Sequence, residues 1–267
     1  MAPTPEPGAT RSRFGLEVVL VLGVSLGESA VYSLLRIIDR LTRPEPLSAQ
    51  VTQMNTSVAA ERPWLDLAYQ LASLAFPLVP VLLALYLLWL AAGPPAWPGD
   101  VPGVRPWRRL GFDLTRPGWD VGWGFLIAAA IGIPGLGFYL LSREIGINTN
   151  VVPANLEQNW WTVPVYLLAA AMNGILEEVL MLGYFFLRFR QVGWSWAAIL
   201  VVSAVVRGGY HLYQGFGGFA GNLIMGIAFG LLYLRWKRVG PLVVAHTLLD
   251  VVAFVGYAVV APRVDWL

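Results

Sequence analysis

Four side chains that could carry out hydrolytic chemistry lie inside strongly apolar stretches of this sequence. Glu177 and Glu178, the carboxylate pair, are adjacent, and the only two histidines, His211 and His246, follow in two later stretches. Ionisable groups cost about 2.5–3.5 kcal/mol each on membrane-insertion scales, so within membrane segments they tend to mark functional sites. A carboxylate can activate water, and imidazoles can bind a metal or stabilise an oxyanion. The set therefore favours hydrolysis of a peptide bond.

Two more polar side chains accompany the histidines at helical spacing. Arg207 precedes His211 by four residues and Asp250 follows His246 by four, so each pair shares a helix face. A buried guanidinium requires a carboxylate, which predicts an ion pair between Arg207 and the carboxylate pair. Asp250 is expected to orient the His246 imidazole or to join it as a ligand. The alternatives are a structural role for His211 and simple helix-linking roles for the other pairs.

The carboxylate pair cannot point in one direction, because adjacent helix residues are about 100° apart. One carboxylate is therefore expected to face the catalytic space and the other to accept hydrogen bonds from a neighbouring helix. Nucleophilic mechanisms are less favoured. The chain has no cysteine, Ser203 lies two turns from His211 without a Gly-x-Ser-x-Gly elbow, and no His-Glu-x-x-His sequence occurs.

The composition places these residues in a membrane. Hydrophobic residues make up 57% of the chain, charged residues 13%, and the mean hydropathy is +0.62, far more apolar than a soluble domain. We therefore predict an all-α fold, a polytopic transmembrane helical bundle whose main partner is the lipid bilayer. No basic run indicates nucleic-acid binding.

The sequence predicts seven or eight transmembrane spans, and seven apolar stretches are long enough to cross the hydrocarbon layer of a membrane. They cover residues 14–36, 64–92, 121–141, 161–187, 194–213, 217–234 and 241–261. With a cytoplasmic N-terminus, the inner side holds 11 basic residues and the outer side five, which fits the positive-inside rule. We predict a multi-pass protein of a bacterial cell membrane, with an N-terminal region of three spans (1–160) and a catalytic core (161–261).

The order of these residues resembles that of the CPBP intramembrane proteases, named for CAAX prenyl protease and bacteriocin processing and also called the Abi family. Its pattern is Glu-Glu-x-x-x-Arg, then Phe-x-x-x-His, a helix with a small or Asn residue, and His-x-x-x-Asn or Asp. Here the carboxylate pair, His211, Asn222, and His246 with Asp250 follow in that order. The resemblance covers roughly residues 160–261, and Asn222 would be a supporting residue.

The resemblance implies an intramembrane endopeptidase that acts on a membrane-associated peptide or protein. Glu177 would activate water with Glu178 as its companion, while His211 and His246, helped by Asp250, would bind the oxyanion or, in older descriptions, a metal. That metal would be Zn²⁺, with Glu177, His211 and His246 as its ligands. A metal-free glutamate mechanism uses the same side chains, so the cofactor stays open.

Two positions depart from the family pattern. Leu182 stands where the first motif has arginine, and Arg207 stands where the second motif has phenylalanine. We interpret this as the relocation of one cation from one helix to the next, which would preserve activity. An unrelated change would instead indicate a catalytically inactive binding or scaffold protein. A transporter is the third alternative, because it too would bury ionisable residues, and breaks near 208–209 and 215–218 would suit it.

The predicted spans place the two histidines at different depths. At 1.5 Å per residue, His211 lies roughly 25 Å from the inner end of its span, and His246 only about 8 Å from the inner end of its own. Straight helices with these bounds would keep them apart. A tilt, a break at Gly208-Gly209 or different helix ends would be needed to bring them together.

Overall fold

The computed structural model describes residues 7–264, and residues 1–6 and 265–267 lie outside it. Helices account for 74% of the structure, with almost no strand, which confirms the predicted all-α membrane bundle. The helices are α1 (Pro7–Gly23), α2 (Leu26–Leu41), α3 (Pro63–Ala75), α4 (Val79–Leu90), α5 (Pro106–Arg109), α6 (Pro117–Glu144), α7 (Thr162–Glu178), α8 (Phe185–Val192), α9 (Trp196–His211), α10 (Phe216–Trp236), α11 (Gly240–Val251) and α12 (Tyr257–Val260).

Short irregular elements connect these helices. A 3₁₀ turn (Phe76–Leu78) joins α3 to α4, and wide π-helical turns join α7 to α8 (Val179–Tyr184) and α11 to α12 (Val252–Gly256). Strands β1 (Val51–Gln53) and β2 (Asn150–Val152) pair in parallel and tie together the two loops that carry them. The strands are too short to form a separate domain.

Five helices of the described chain are long and apolar enough to cross a membrane. They cover Pro63–Leu90, Pro117–Glu144, Thr162–Val192, Phe216–Trp236 and Gly240–Val260. Helices α1 and α2, bent by 52° at their junction, form a sixth span if they are taken together. The predicted span at 194–213 corresponds to α9, whose 16 residues are too few to cross alone. The cytoplasmic N-terminus and the division at residue 160 remain predictions.

The helix that carries the carboxylate pair occupies the centre of the bundle. In Thr162–Val192, 61% of the apolar 18-residue stretch is buried, compared with at most 28% of the corresponding stretch in the other four spanning helices. Every residue of its π-helical turn, Val179–Tyr184, is buried, and this turn follows directly after the pair. π-Helical turns often occur at functional sites. The pair therefore lies in the protein interior, away from lipid.

Close helix contacts bring the neighbouring helices to this centre. A Cβ atom on Gly174 of α7 would lie 2.7 Å from Thr247 Oγ1 and 3.0 Å from the Val243 carbonyl oxygen of α11. A Cβ atom on Gly226 of α10 would lie 3.2 Å from Arg207 Cδ of α9. The absence of side chains at these two glycines lets the backbones approach, so that polar groups on α7, α9 and α11 can meet.

The turn that starts α11 is held by a separate ion-pair cluster. Arg238 Nε donates to Asp120 Oδ1 at 2.6 Å, and its Nη1 donates to Asp113 Oδ1 at 2.8 Å. Burial alone would raise the pKa of Asp113, but hydrogen bonds from Thr115 and Arg238 outweigh it and lower this pKa below its ordinary value. The cluster links the segment before α6 and the first turn of α6 to the N-terminal end of α11.

Candidate active site

Glu178 is fully engaged by two neighbouring helices. It is 0% exposed, and Arg207 of α9 binds both of its oxygens, with Nη1 3.2 Å from Oε2 and Nη2 in contact with Oε1. The same Oε1 accepts a hydrogen bond from His246 Nδ1 of α11 at 2.7 Å. An ionised carboxylate can be held in a buried site when its oxygens are satisfied in this way. Glu178 therefore links α7 to both α9 and α11.

Glu177 has a different environment. Its Oε2 accepts hydrogen bonds from Tyr210 Oη at 2.6 Å and from Arg207 Nη2 at 3.2 Å. Its Oε1 has no hydrogen bond within residues 7–264 and is not fully enclosed by protein atoms. Glu177 also lines the large cavity described below, whereas Glu178 does not. Of the two adjacent carboxylates, Glu178 is thus fully hydrogen-bonded, whereas Glu177 has one oxygen free at the cavity.

The orienting partner of His246 is Glu178 and not Asp250, which corrects the expectation drawn from sequence. His246 Nε2 lies 3.8 Å from Asp250 Oδ1, too far for a hydrogen bond. Asp250 Oδ2 instead accepts a hydrogen bond from Asn173 Nδ2 of α7 at 2.8 Å. Asp250 therefore joins α11 to α7, while the Nδ1–H of His246 donates to a carboxylate and its Nε2 stays available.

His211 lies at the C-terminal end of α9, with Nδ1 3.0 Å from the Arg207 carbonyl oxygen. In the neutral ring, the Nδ1–H donates to this carbonyl and leaves Nε2 as an acceptor. Helix α9 runs unbroken through Gly208-Gly209, so the break considered there is absent. His211 and His246 nevertheless line the same cavity.

The depth difference calculated for the two histidines is wrong because it assumed that both helices begin at one level. Tyr210, next to His211, reaches Glu177, and the adjacent Glu178 reaches His246. Two neighbouring residues of α7 therefore hold the end of α9 and the middle of α11 side by side. The contacts, and not the helix lengths, set the level at which these groups meet.

The cavity beside these residues has a volume of ≈ 1730 Å³ and is lined by α2, α6, α7, α9, α10 and α11. Ligand pockets for drug-sized molecules are usually about 300–1,000 Å³, so this one has room for several peptide residues. The predicted site residues on its wall are Glu177, His211, Asn222, His246 and Asp250. Asn222 Nδ2 donates to the Gly218 carbonyl oxygen of its own helix at 3.0 Å.

The predicted ligands Glu177, His211 and His246 are not gathered around one point. Within the described residues, the group of three whose ligand atoms lie within 4.8 Å of one another is Glu177, Glu178 and His246. Arg207 Nη2 contacts both carboxylates and lies 3.1 Å from His246 Nδ1. A guanidinium thus supplies positive charge where a metal ion would sit, and the two cations would repel each other. This arrangement does not fit a metal in that group.

Two site residues were missed from sequence, although their spacing carried a signal. Tyr210 lies three residues after Arg207 and Asn173 four residues before Glu177, so each shares a helix face with a residue of the predicted site. Tyr210 donates a hydrogen bond to Glu177, and Asn173 donates one to Asp250, so both are part of the site's hydrogen-bond network. Polar side chains in the turns around an intramembrane ion pair are candidates for the same network.

The structure also places the two positions that depart from the family pattern. Leu182 lies within the π-helical turn, is 1% exposed and packs in the apolar core. The Arg207 guanidinium lies 5.3 Å from the Phe229 ring and reaches Glu178 from α9. The carboxylate pair therefore has an arginine partner, supplied by α9.

A membrane helical bundle with buried acids, an arginine and two histidines around one large cavity has the features of an intramembrane hydrolase. Residues 159–252 match the family described as "Type II CAAX prenyl endopeptidase Rce1-like". This match confirms the resemblance to the CPBP family over that segment and supports a CAAX-type intramembrane protease with a peptide substrate. No curated protein and no solved structure matches the chain.

Proposed function

We propose that this protein is an intramembrane endopeptidase in which Glu177 activates the attacking water. The observation that carries the proposal is the unequal engagement of the carboxylate pair. Glu178 is held by Arg207 and His246, whereas Glu177 keeps one oxygen free at the cavity wall. A general base must reach the proton it takes, and only Glu177 meets this requirement.

In the proposed reaction, Glu177 Oε1 takes a proton from water, and the water oxygen forms a bond to the scissile carbonyl carbon. The carbonyl π electrons move to oxygen and give a tetrahedral oxyanion. The C–N bond then breaks as the proton passes from Glu177 to the leaving nitrogen, which regenerates the carboxylate. Tyr210 and Arg207 hold Oε2 throughout, so the free oxygen keeps its direction.

We assign the oxyanion to His246. Its Nδ1–H is bound to Glu178, and the two negative charges of the carboxylate pair can balance both Arg207 and an imidazolium at His246. The Nε2–H of this imidazolium would then donate to the developing negative charge. Neutral His211, with Nδ1–H bound to a carbonyl, presents an Nε2 acceptor that can position the water. The amide of Asn222 lines the same cavity and is a supporting donor.

The protein is a multi-pass membrane protein by its apolar helices and family match. We propose that it lies in a bacterial cell membrane and that the catalytic core covers residues 161–261, after an N-terminal region of 1–160. Its substrate would be a membrane-associated peptide or protein that enters the cavity beside α2. The geometry supports a metal-free glutamate mechanism.

Matched Gln variants of the two carboxylates test the proposal in proteoliposomes that contain a membrane-peptide library. Glu177→Gln still accepts a hydrogen bond from Tyr210 but cannot act as a base, so turnover should fall by roughly 10²–10⁴-fold. It leaves the two-pronged contact between Glu178 and Arg207 in place, so its loss of stability should be smaller than that of the Glu178 variant. Glu178→Gln removes a buried charge from Arg207 and should lower stability as well as turnover.

Three results would count against the mechanism. Wild-type turnover by Glu177→Gln would remove Glu177 as the base. Peptide binding without cleavage by the wild-type protein would indicate an inactive binding or scaffold protein. Accumulation of a solute inside the vesicles that depends on these same residues would indicate a transporter.

A further inference from the structure

Helix α2 presents two chemically different faces. At 100° per residue, its polar cavity-lining residues fall within an arc of about 140°, and its exposed large aliphatic residues point the opposite way. The cavity face contains Glu28, Ser29, Tyr32, Ser33 and Arg36. The outer face contains Val31, Leu34, Leu35 and Ile38, each at least 50% exposed. The outer face suits lipid, and the inner face gives the cavity a polar wall.

Arg36 differs from the buried arginines of this protein. Arg188, Arg207 and Arg238 each form an ion pair with a carboxylate at 3.2 Å or less. For Arg36, no Asp or Glu oxygen of residues 7–264 lies within 4.0 Å of the guanidinium, which stands 5.9 Å from the Tyr213 ring. The Arg36 side chain is exposed at the cavity wall and carries five donors without an anionic acceptor. It is therefore available to a ligand.

The position of Arg36 is coupled to the active site. The Tyr213 backbone N–H donates to Ser33 Oγ of α2 at 2.6 Å, which fixes α2 against the turn that follows His211. Arg36 is one turn beyond Ser33 on the same wall, and the same cavity contains Glu177. A peptide bound with its scissile bond at Glu177 could extend along α2 toward the guanidinium.

We propose that Arg36 binds a carboxylate of the peptide substrate and so selects which peptides enter the cavity. The planar guanidinium fork matches a carboxylate through two parallel hydrogen bonds. Glu28, two turns away on the same face, would repel a carboxylate and directs it to the Arg36 end. The carboxylate is either the substrate C-terminus or an acidic side chain. This inference rests on the proposed peptidase function.

Four peptides built on one cleavable sequence separate the two sources. One pair has a free or an amidated C-terminus, and the other pair has Glu or Gln at the internal position nearest the cleavage site. Kinetics in proteoliposomes are compared for the wild type, Arg36→Gln, Arg36→Lys and the control Arg43→Gln. Arg43 is the matched control because it lies just beyond α2, pairs with Asp39 and does not line the cavity.

For the peptide with the recognised carboxylate, Arg36→Gln should raise KM roughly tenfold to hundredfold, with kcat unchanged. Neutralising that carboxylate in the peptide should have the same effect on the wild type and none on the variant. Arg36→Lys should recover part of the affinity, and Arg43→Gln should behave as the wild type.

Equal KM values for acidic and neutral peptides in the wild type would overturn the inference while leaving the peptidase proposal intact. An equal loss for all four peptides that depends on anionic lipid would assign Arg36 to a lipid headgroup instead. Absence of cleavage of every peptide by the wild type would refute the proposed function itself. Binding of the same peptides to Glu177→Gln then tests Arg36 without turnover.

Discussion

Replacing Arg207 with leucine tests whether the relocated arginine is the partner of the carboxylate pair. The guanidinium is 1% exposed and contacts Glu178, which is 0% exposed, and Glu177, which is 8% exposed. Breaking a buried pair by removing one partner costs about 3–5 kcal/mol, because the remaining charge stays buried without compensation. The total stability of a domain is only about 5–15 kcal/mol. Arg207→Leu should therefore lose a large part of its stability.

The assay is unfolding in detergent together with peptide turnover. Arg207→Lys keeps the charge but not the two-pronged contact, so it should lie between Arg207→Leu and the wild type in both measurements. A second comparison restores the family pattern. Arg207→Phe with Leu182→Arg should be more stable and more active than Arg207→Phe alone if one cation can serve from either helix.

Wild-type stability and turnover in Arg207→Leu would refute the reasoning, since no buried carboxylate would then depend on this cation. A loss of turnover at wild-type stability would place Arg207 in the reaction and not in the support of the pair. A double variant no better than Arg207→Phe would argue against relocation.

Three other predictions concern packing, pH and metal. Gly174→Ala should push α7 away from α11, lower the free energy of unfolding by about 1–3 kcal/mol and reduce turnover. Gly137→Ala is the control, because nothing lies within 4 Å of its new Cβ, and it should change neither quantity. Unfolding in detergent and peptide turnover compare the two variants. Hydrogen bonds from Thr115 and Arg238 give Asp113 a pKa below its ordinary 3.8 despite burial, so its stabilisation should be full above that value and disappear as pH falls through the lowered pKa. The stability difference between wild type and Asp113→Asn, measured from neutral to strongly acidic pH, should vanish at the acid end; a difference that grows there would contradict the sign. Finally, chelators should leave turnover unchanged. If elemental analysis finds one zinc ion per chain, and a chelator removes both the zinc and the activity, the site is not metal-free.

Helix spacing and the cost of buried charge predict much of the site. Both arguments place Arg207 against the carboxylate pair, and the two-role expectation follows from the 100° between Glu177 and Glu178. Neither argument gives the rotation of one helix about its axis relative to another. Asp250 lies on the same face as His246, yet α11 is turned so that His246 meets Glu178 and Asp250 meets an amide on α7.

The number and level of the helices were harder to predict for a related reason. Hydropathy shows how apolar a stretch is but not where its helix begins and ends relative to its neighbours. The stretch at 194–213 is apolar enough for a span, but its helix starts at Trp196 and stops at His211. Tyr210, which was missed from sequence, lies at the same end of this helix. Its hydroxyl group binds Oε2 of Glu177 and so leaves Oε1 as the free oxygen.

The short length of α9 ties the site to the thickness of the bilayer. Its 16 residues extend about 24 Å, roughly 6 Å less than the hydrocarbon layer. The turn that follows, Leu212–Gln214, is a 3₁₀ turn, in which the regular hydrogen bonding of the α-helix ends, and Tyr213 and Gln214 line the cavity. The place where the helix stops is thus the place where water can reach Glu177. Longer acyl chains would increase the hydrophobic mismatch at this helix, so lipid chain length becomes a variable that controls how readily the site is hydrated.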